Sequence, residues 1–136
     1  MDYYGVARTS YFVPNDMEAF KKFVGGLSQT FITYKDIGGA DHCALIFEDG
    51  IPRTWCVFDD WDEEEFRDID ISEELQNFLQ EGPALILQEA GHEGMRYAHG
   101  YVCVITQSSI DWTNLDEWAD QKLKELGSPK ATKCAY

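Results

Sequence analysis

A chain of 136 residues with 25 Asp and Glu against 11 Lys and Arg has a formal charge of −14 at neutral pH, yet it is 44% hydrophobic and 14% aromatic. That apolar content excludes a disordered acidic tail, and the charge has the wrong sign for anionic lipid or for direct contact with nucleic acid. The length leads to the expectation of one domain over 1–136. The start, Met1-Asp2-Tyr3-Tyr4, lacks the basic region and apolar run of a secretory signal, and no apolar run reaches membrane-span length. A cytoplasmic protein with no membrane association is the expectation.

In chain order, residues 3–13 are rich in aromatic and β-branched types and stop at Pro14, which predicts a strand. Asn15 or Asp16 caps a helix running to about Leu27, with Met17, Phe20, Val24 and Leu27 inward. A short strand covers 31–34, and Asp36-Ile37-Gly38-Gly39 is a loop. Residues 42–48 and 53–58 read as a hairpin across Asp49-Gly50-Ile51-Pro52. Ser72 is the expected N-cap of a helix over 73–81 with Leu75, Phe78 and Leu79 inward, stopped by Gly82-Pro83.

Residues 84–90 and 96–106 form a second predicted hairpin. In its later strand Tyr97, His99, Tyr101, Cys103 and Ile105 share one face by period two. Gly100, on the other face, marks a bulge or a close backbone approach. A last helix runs from near Thr113 to Leu126 and buries Leu115, Trp118, Ala119, Leu123 and Leu126. The expected order is β-α-β-β-β-α-β-β-α. It implies an α+β fold: a largely antiparallel sheet of about five to six strands with two to three helices packed mainly on one face. Apolar residues on both faces of 96–106 fit either a homodimer or a helix on each side.

The charge is concentrated. Residues 59–81 hold eleven carboxylates and one cation, Arg67, and so supply −10 of the −14. Trp61, Phe66, Ile69, Ile71, Leu75, Phe78 and Leu79 are threaded through them and tie the segment to a folded surface. Glu73 and Glu74 are accounted for by a helix N-terminus, which favours acids. The unexplained charge lies in 59–70. A solvated, solubilising surface is the plain account of such a run, but neighbouring carboxylates repel, and this density exceeds what solubility requires. Regularly placed acids on a rigid support can imitate the phosphates of duplex DNA and compete for a groove lined by Lys and Arg. The partner-binding candidates are Asp59, Asp60, Trp61, Asp62, Glu63, Glu64, Glu65, Asp68 and Asp70. The same electrostatics would serve an immunity-type protein that neutralises one cationic toxin.

No catalytic constellation emerges. The three histidines, His42, His92 and His99, are scattered, and no Ser sits in a Gly-x-Ser-x-Gly elbow. His99, among aromatics on a strand, is expected to be packed and hydrogen-bonded. Asp60-x-Asp62 and Asp68-x-Asp70 are each half of a calcium loop. Cys43, Cys56, Cys103 and Cys134 form no closely spaced pair and read as core thiols of a reducing compartment. No cofactor, metal or enzymatic activity is expected. A deep pocket around His99, Tyr101 or Cys103 would instead favour a small enzyme or a ligand-binding domain. Tyr3 and Tyr4 are the residues of the aromatic N-terminus expected to be exposed.

Two stretches carry a resemblance. Residues 3–13 with Asp16 and Ala19-Phe20, and residues 89–97 with Gly100-Tyr101, resemble a family of small acidic proteins encoded on phages and plasmids. The resemblance implies a mobile-element protein acting in a bacterial cytoplasm. Small acidic proteins of that origin include inhibitors of host restriction and of CRISPR surveillance complexes, several of them DNA mimics. No catalytic residue carries over. Arg8, Arg96 and Tyr97 lie within the matching stretches, and an Arg buried against a carboxylate would explain the arginines equally well. Together these readings point to a non-enzymatic inhibitor that offers its acidic strip to a basic host protein or nucleoprotein complex.

Overall fold

A computed structural model describes residues 3–58 and 64–134. Eleven elements follow one another: β1 (Tyr4–Thr9), α1 (Met17–Val24), β2 (Thr30–Ile37), β3 (Ala40–Phe47), β4 (Thr54–Phe58), β5 (Glu64–Asp68), α2 (Ile71–Gln76), β6 (Leu85–Glu93), β7 (Tyr97–Ile105), β8 (Ile110–Asn114) and α3 (Leu115–Glu125). Six strands form one antiparallel sheet in the order β2-β3-β1-β6-β7-β8, and β4 and β5 form a second, two-stranded sheet. The fold is α+β, as its sequence pattern predicts.

The core lies on one face of the large sheet, here called the inner face. Phe47, Leu45, Cys43, Leu85, Leu87, Cys103 and Ile105 point into it and are almost wholly buried. Helices α1 and α2 close over them with Phe20, Phe23, Val24, Ile71 and Leu75. Each such side chain contributes about 1.5–3 kcal/mol by leaving water. Phe20 is the pivot, edge-on to Phe12 at 5.3 Å and to Phe78 at 5.2 Å. Thr9 is the buried polar exception on β1. Its hydroxyl accepts from the Leu45 amide at 2.9 Å and donates to the Ser10 carbonyl, so it is satisfied both as acceptor and as donor.

Helix α1 starts where Asp16 accepts from the Ala19 amide at 3.0 Å. The Gly38-Gly39 step, with both φ positive, turns β2 into β3 while the Asp36 carboxylate accepts from the Gly39 amide. Gly100 is a close approach, since a Cβ there would lie 2.8 Å from Leu115 Cγ.

Several expectations are corrected. Residues 42–48 and 53–58 do not pair: β3 sits between β2 and β1, and β4 instead turns back on β5, inside the acidic segment. Helix α2 begins two residues earlier than expected, because Asp70 rather than Ser72 is its N-cap. It ends at Gln76, leaving Phe78 half-buried and Leu79 buried in the following turn. Residues 110–114 form an edge strand, β8, before the last helix. That helix buries none of its residues: Leu115, Trp118, Ala119 and Leu126 are exposed and Leu123 is half-buried. It lies on the outer face of the sheet rather than in the core.

Candidate functional site: an acidic hairpin and the cleft beside it

The β4–β5 hairpin is fastened to the body through Trp55. Its indole stacks on Phe23 at 6.3 Å, donates to the Phe23 carbonyl at 2.7 Å and lies against Gly26, where a side chain would collide with the ring. The Cys56 amide donates to the Gly26 carbonyl at 2.9 Å, and the Ile69 amide donates to the Arg53 carbonyl at 2.9 Å. From the far side Arg67 lies 5.1 Å over the Trp55 ring and reaches Glu74 at 3.5 Å. The single cation of the acidic segment is therefore occupied by packing and by one carboxylate.

The predicted strip divides on this frame. Asp59, Asp60, Trp61, Asp62 and Glu63 lie outside the described residues. Glu64 and Glu65 are on β5, and Asp68 is exposed at its end. Phe66, expected to help pin the strip, is 64% exposed on the same strand. Asp70 serves the fold: its carboxylate accepts from the Ser72 amide at 2.9 Å and from the Ser72 hydroxyl at 2.5 Å. Arg8 and Arg96 are exposed, so neither is the buried ion-paired arginine considered for them; Arg96 meets Glu93 at 3.3 Å on the surface.

Beside the hairpin the inner face of the sheet continues past the core as an open cleft of about 760 Å³. Its lining includes Asp49, Asp68, Asp70 and Glu89, with Arg53 as the full cation and His99, Tyr3 and Tyr101 completing the wall. Register explains the convergence. Glu89 pairs with Tyr101, and His99 with Gly91, so all of these side chains share the face of Leu87 and Cys103. Glu89 is held firmly. One carboxylate oxygen accepts from the Ile51 amide at 2.8 Å, and the other lies 3.2 Å from His99 Nε2. His99 is thus packed as expected, beside the Glu89 carboxylate and with Tyr3 edge-on at 6.1 Å.

Tyr4 is exposed as expected, but Tyr3 is half-buried. Its hydroxyl is enclosed without a hydrogen-bond partner, and burial together with Glu89 raises its pKa. Burial likewise raises the Tyr101 phenol, helped by Cys103 and by the Asp70 and Glu89 charges, so both phenols stay uncharged at neutral pH. On the core side, burial pushes the Cys43 thiol up to about 11. Cys43 and Cys103 are buried in β3 and β7 and Cys56 is half-buried in β4, whereas Cys134 is exposed and so is not the core thiol expected.

With four carboxylates against one guanidinium, the cleft can attract cations. Its described lining contains no Ser, Cys or Lys. Among the described residues no three metal-ligating side chains cluster at binding distance, and no helix is long and apolar enough to cross a membrane. Sequence reading passed over Asp49, Glu89 and Arg53. Glu89 did leave a signal, as an acid at an inward position of the alternation Leu85, Leu87, Glu89, Gly91. Comparison with protein-family models, with curated proteins and with solved structures yields no match.

Proposed function

We propose that this chain is a non-enzymatic, acidic inhibitor from a phage or other mobile element that acts in the bacterial cytoplasm. In this reading it binds the basic nucleic-acid groove of a host defence complex, of the anti-restriction or anti-CRISPR type. The observation that supports it is convergence. Asp68 and Asp70, from the acidic segment, meet Asp49 and Glu89, from two other parts of the chain, around one cleft beside an independently mounted acidic strand. Four carboxylates against one guanidinium make a cation-seeking wall, and Trp55 holds the strand fast, so little ordering entropy is lost on binding. A partner steered by such a field associates quickly at low salt and slowly at high salt.

The test is protection of incoming unmodified plasmid DNA in cells with an active restriction or CRISPR system. The Glu64→Lys, Glu65→Lys, Asp68→Lys variant is expected to lose protection while keeping its circular dichroism spectrum. Full protection by that folded variant would refute the reading. The cleft itself favours a second reading, a domain that binds a cationic small molecule, because His99 and Tyr101 line it together with four carboxylates. That reading predicts saturable, stoichiometric binding of a polyamine that Glu89→Gln abolishes and Glu64→Lys leaves intact.

A further inference from the structure

We propose that the outer face of the six-stranded sheet is an interface between two copies of this chain, related by a two-fold axis. The ladder aligns Phe31, Ile46, Arg8, Gln88, Val102 and Thr113 in one row across all six strands, on the face away from the core. Val6, Ala90 and Gly100 form the neighbouring row, and Ile86 and Val104 lie beyond. In a sheet with one solvated face this side should be polar. Here it is mostly apolar, and Val6, Phe31, Ile86 and Val104 are exposed.

Helix α3 covers only part of this face. Leu115 reaches Gly100, and between the helix and β1–β3 a groove of about 670 Å³ remains open over Val6, Ile46, Ala90 and Val102. Leu115 and Trp118, on the helix side of that groove, are 56% and 60% exposed. With large aromatic side chains offering about 150–250 Å² each, the exposed parts of these six apolar residues sum to roughly 600 Å². That is the upper end of what a monomer leaves open and most of the ~800 Å² that one partner gives a standard interface.

Charge selects a second copy as the occupant. Two molecules of −14 can meet only where acids are balanced by cations. The strand positions of this face carry Arg8 and Lys35 against Asp111, and α3 adds Asp116, Glu117, Asp120 and Glu125 against Lys122 and Lys124. Cations and acids are thus nearly balanced here, whereas the hairpin and cleft side carries the acidic strip. A two-fold axis parallel to the strands lays β2 of one copy over β8 of the other. Each α3 then lies over the Phe31 and Ile46 half of the opposite sheet, the half its own helix leaves bare. A closed, isologous pair results.

Sedimentation equilibrium of the full chain at about 100 μM protein tests this, in the range where weak dimers are populated. The expected mass is twice 15.6 kDa, with dissociation strengthened at low salt because net repulsion is then unscreened. The Leu115→Glu, Trp118→Glu variant should give the mass of one chain with an unchanged circular dichroism spectrum. Should it not fold, the milder Trp118→Ala should still raise the dimer dissociation constant at least tenfold. A wild-type monomer at this concentration, a mass above two chains, or a dimer indifferent to Trp118→Ala would overturn the proposal.

Discussion

The two sides of one sheet have opposite characters. On the inner side, Leu87 and Cys103 are sealed under helices, and the same strands run on into the acidic cleft at Glu89 and His99. On the outer side, Val102 and Val104 of the same β7 meet only a partial cover from α3. Period-two alternation gives a strand two faces, but whether the second face is apolar depends on what is to cover it. Here the inner side holds the fold together and concentrates negative charge. The outer side buries less, and its acids, Asp111 and those of α3, are nearly balanced by Arg8, Lys35, Lys122 and Lys124. Salt should therefore act in opposite directions on the two, loosening a complex made through the hairpin and tightening one made through the outer face.

Substitutions can break this contrast in graded steps. The largest effect is expected from Phe20→Ala, which empties the contact between Phe12 and Phe78 and should cost about 3–5 kcal/mol in urea unfolding. Trp55→Ala comes next, at about 2–3 kcal/mol since the ring is only half-buried. It should also abolish DNA protection by releasing the hairpin. Thr9→Val keeps the shape but leaves the buried Leu45 amide unpaired, for a loss of about 1–3 kcal/mol.

Alkali offers a smaller effect with a definite sign. The Cys43 thiol binds its proton more tightly in the fold (about 11) than in the unfolded chain (ordinarily 9.0). Its contribution is complete below pH 9 and is lost as pH rises towards 11, and the raised Tyr101 phenol adds to the decline above pH 10. The thermal midpoint should fall over that window, and Cys43→Ala should flatten the fall. The smallest change is expected on the outer face. Trp118→Ala, measured in dilute solution where the chain is monomeric, should alter stability by less than about 0.5 kcal/mol. A loss as large as that of Trp55→Ala would mean that α3 belongs to the core after all.

Much of this was legible beforehand. The aromatic and β-branched start, the Asp16 cap, the inward alternation of β7 and the close approach at Gly100 all follow from local chemistry, and all are seen. What failed was pairing. Nothing local says that β3 enters between β2 and β1, so the Asp-Gly turn at 49–50 suggested a hairpin with the wrong neighbour. The acids of β5 hid a strand, because Glu and Asp are poor strand formers and it is pairing with β4, itself anchored through Trp55, that holds them in one. The apolar residues of α3 were assigned to the core because periodicity reports that a helix has an apolar face, not what that face meets. The site was half visible: Asp68 and Asp70 were named from the charge run, whereas Asp49, Arg53 and Glu89 reach the cleft only through the fold.

The central claim is that the position of the hairpin charges, rather than the total charge, inhibits a basic host complex. It is tested by comparing two triple reversals of equal charge in the plasmid-protection assay. One is Glu64→Lys, Glu65→Lys, Asp68→Lys; the other is Glu18→Lys, Asp41→Lys, Glu48→Lys, at exposed sites away from β5. The first should abolish protection and the second should preserve it. Equal losses from both, or from neither, would contradict the account.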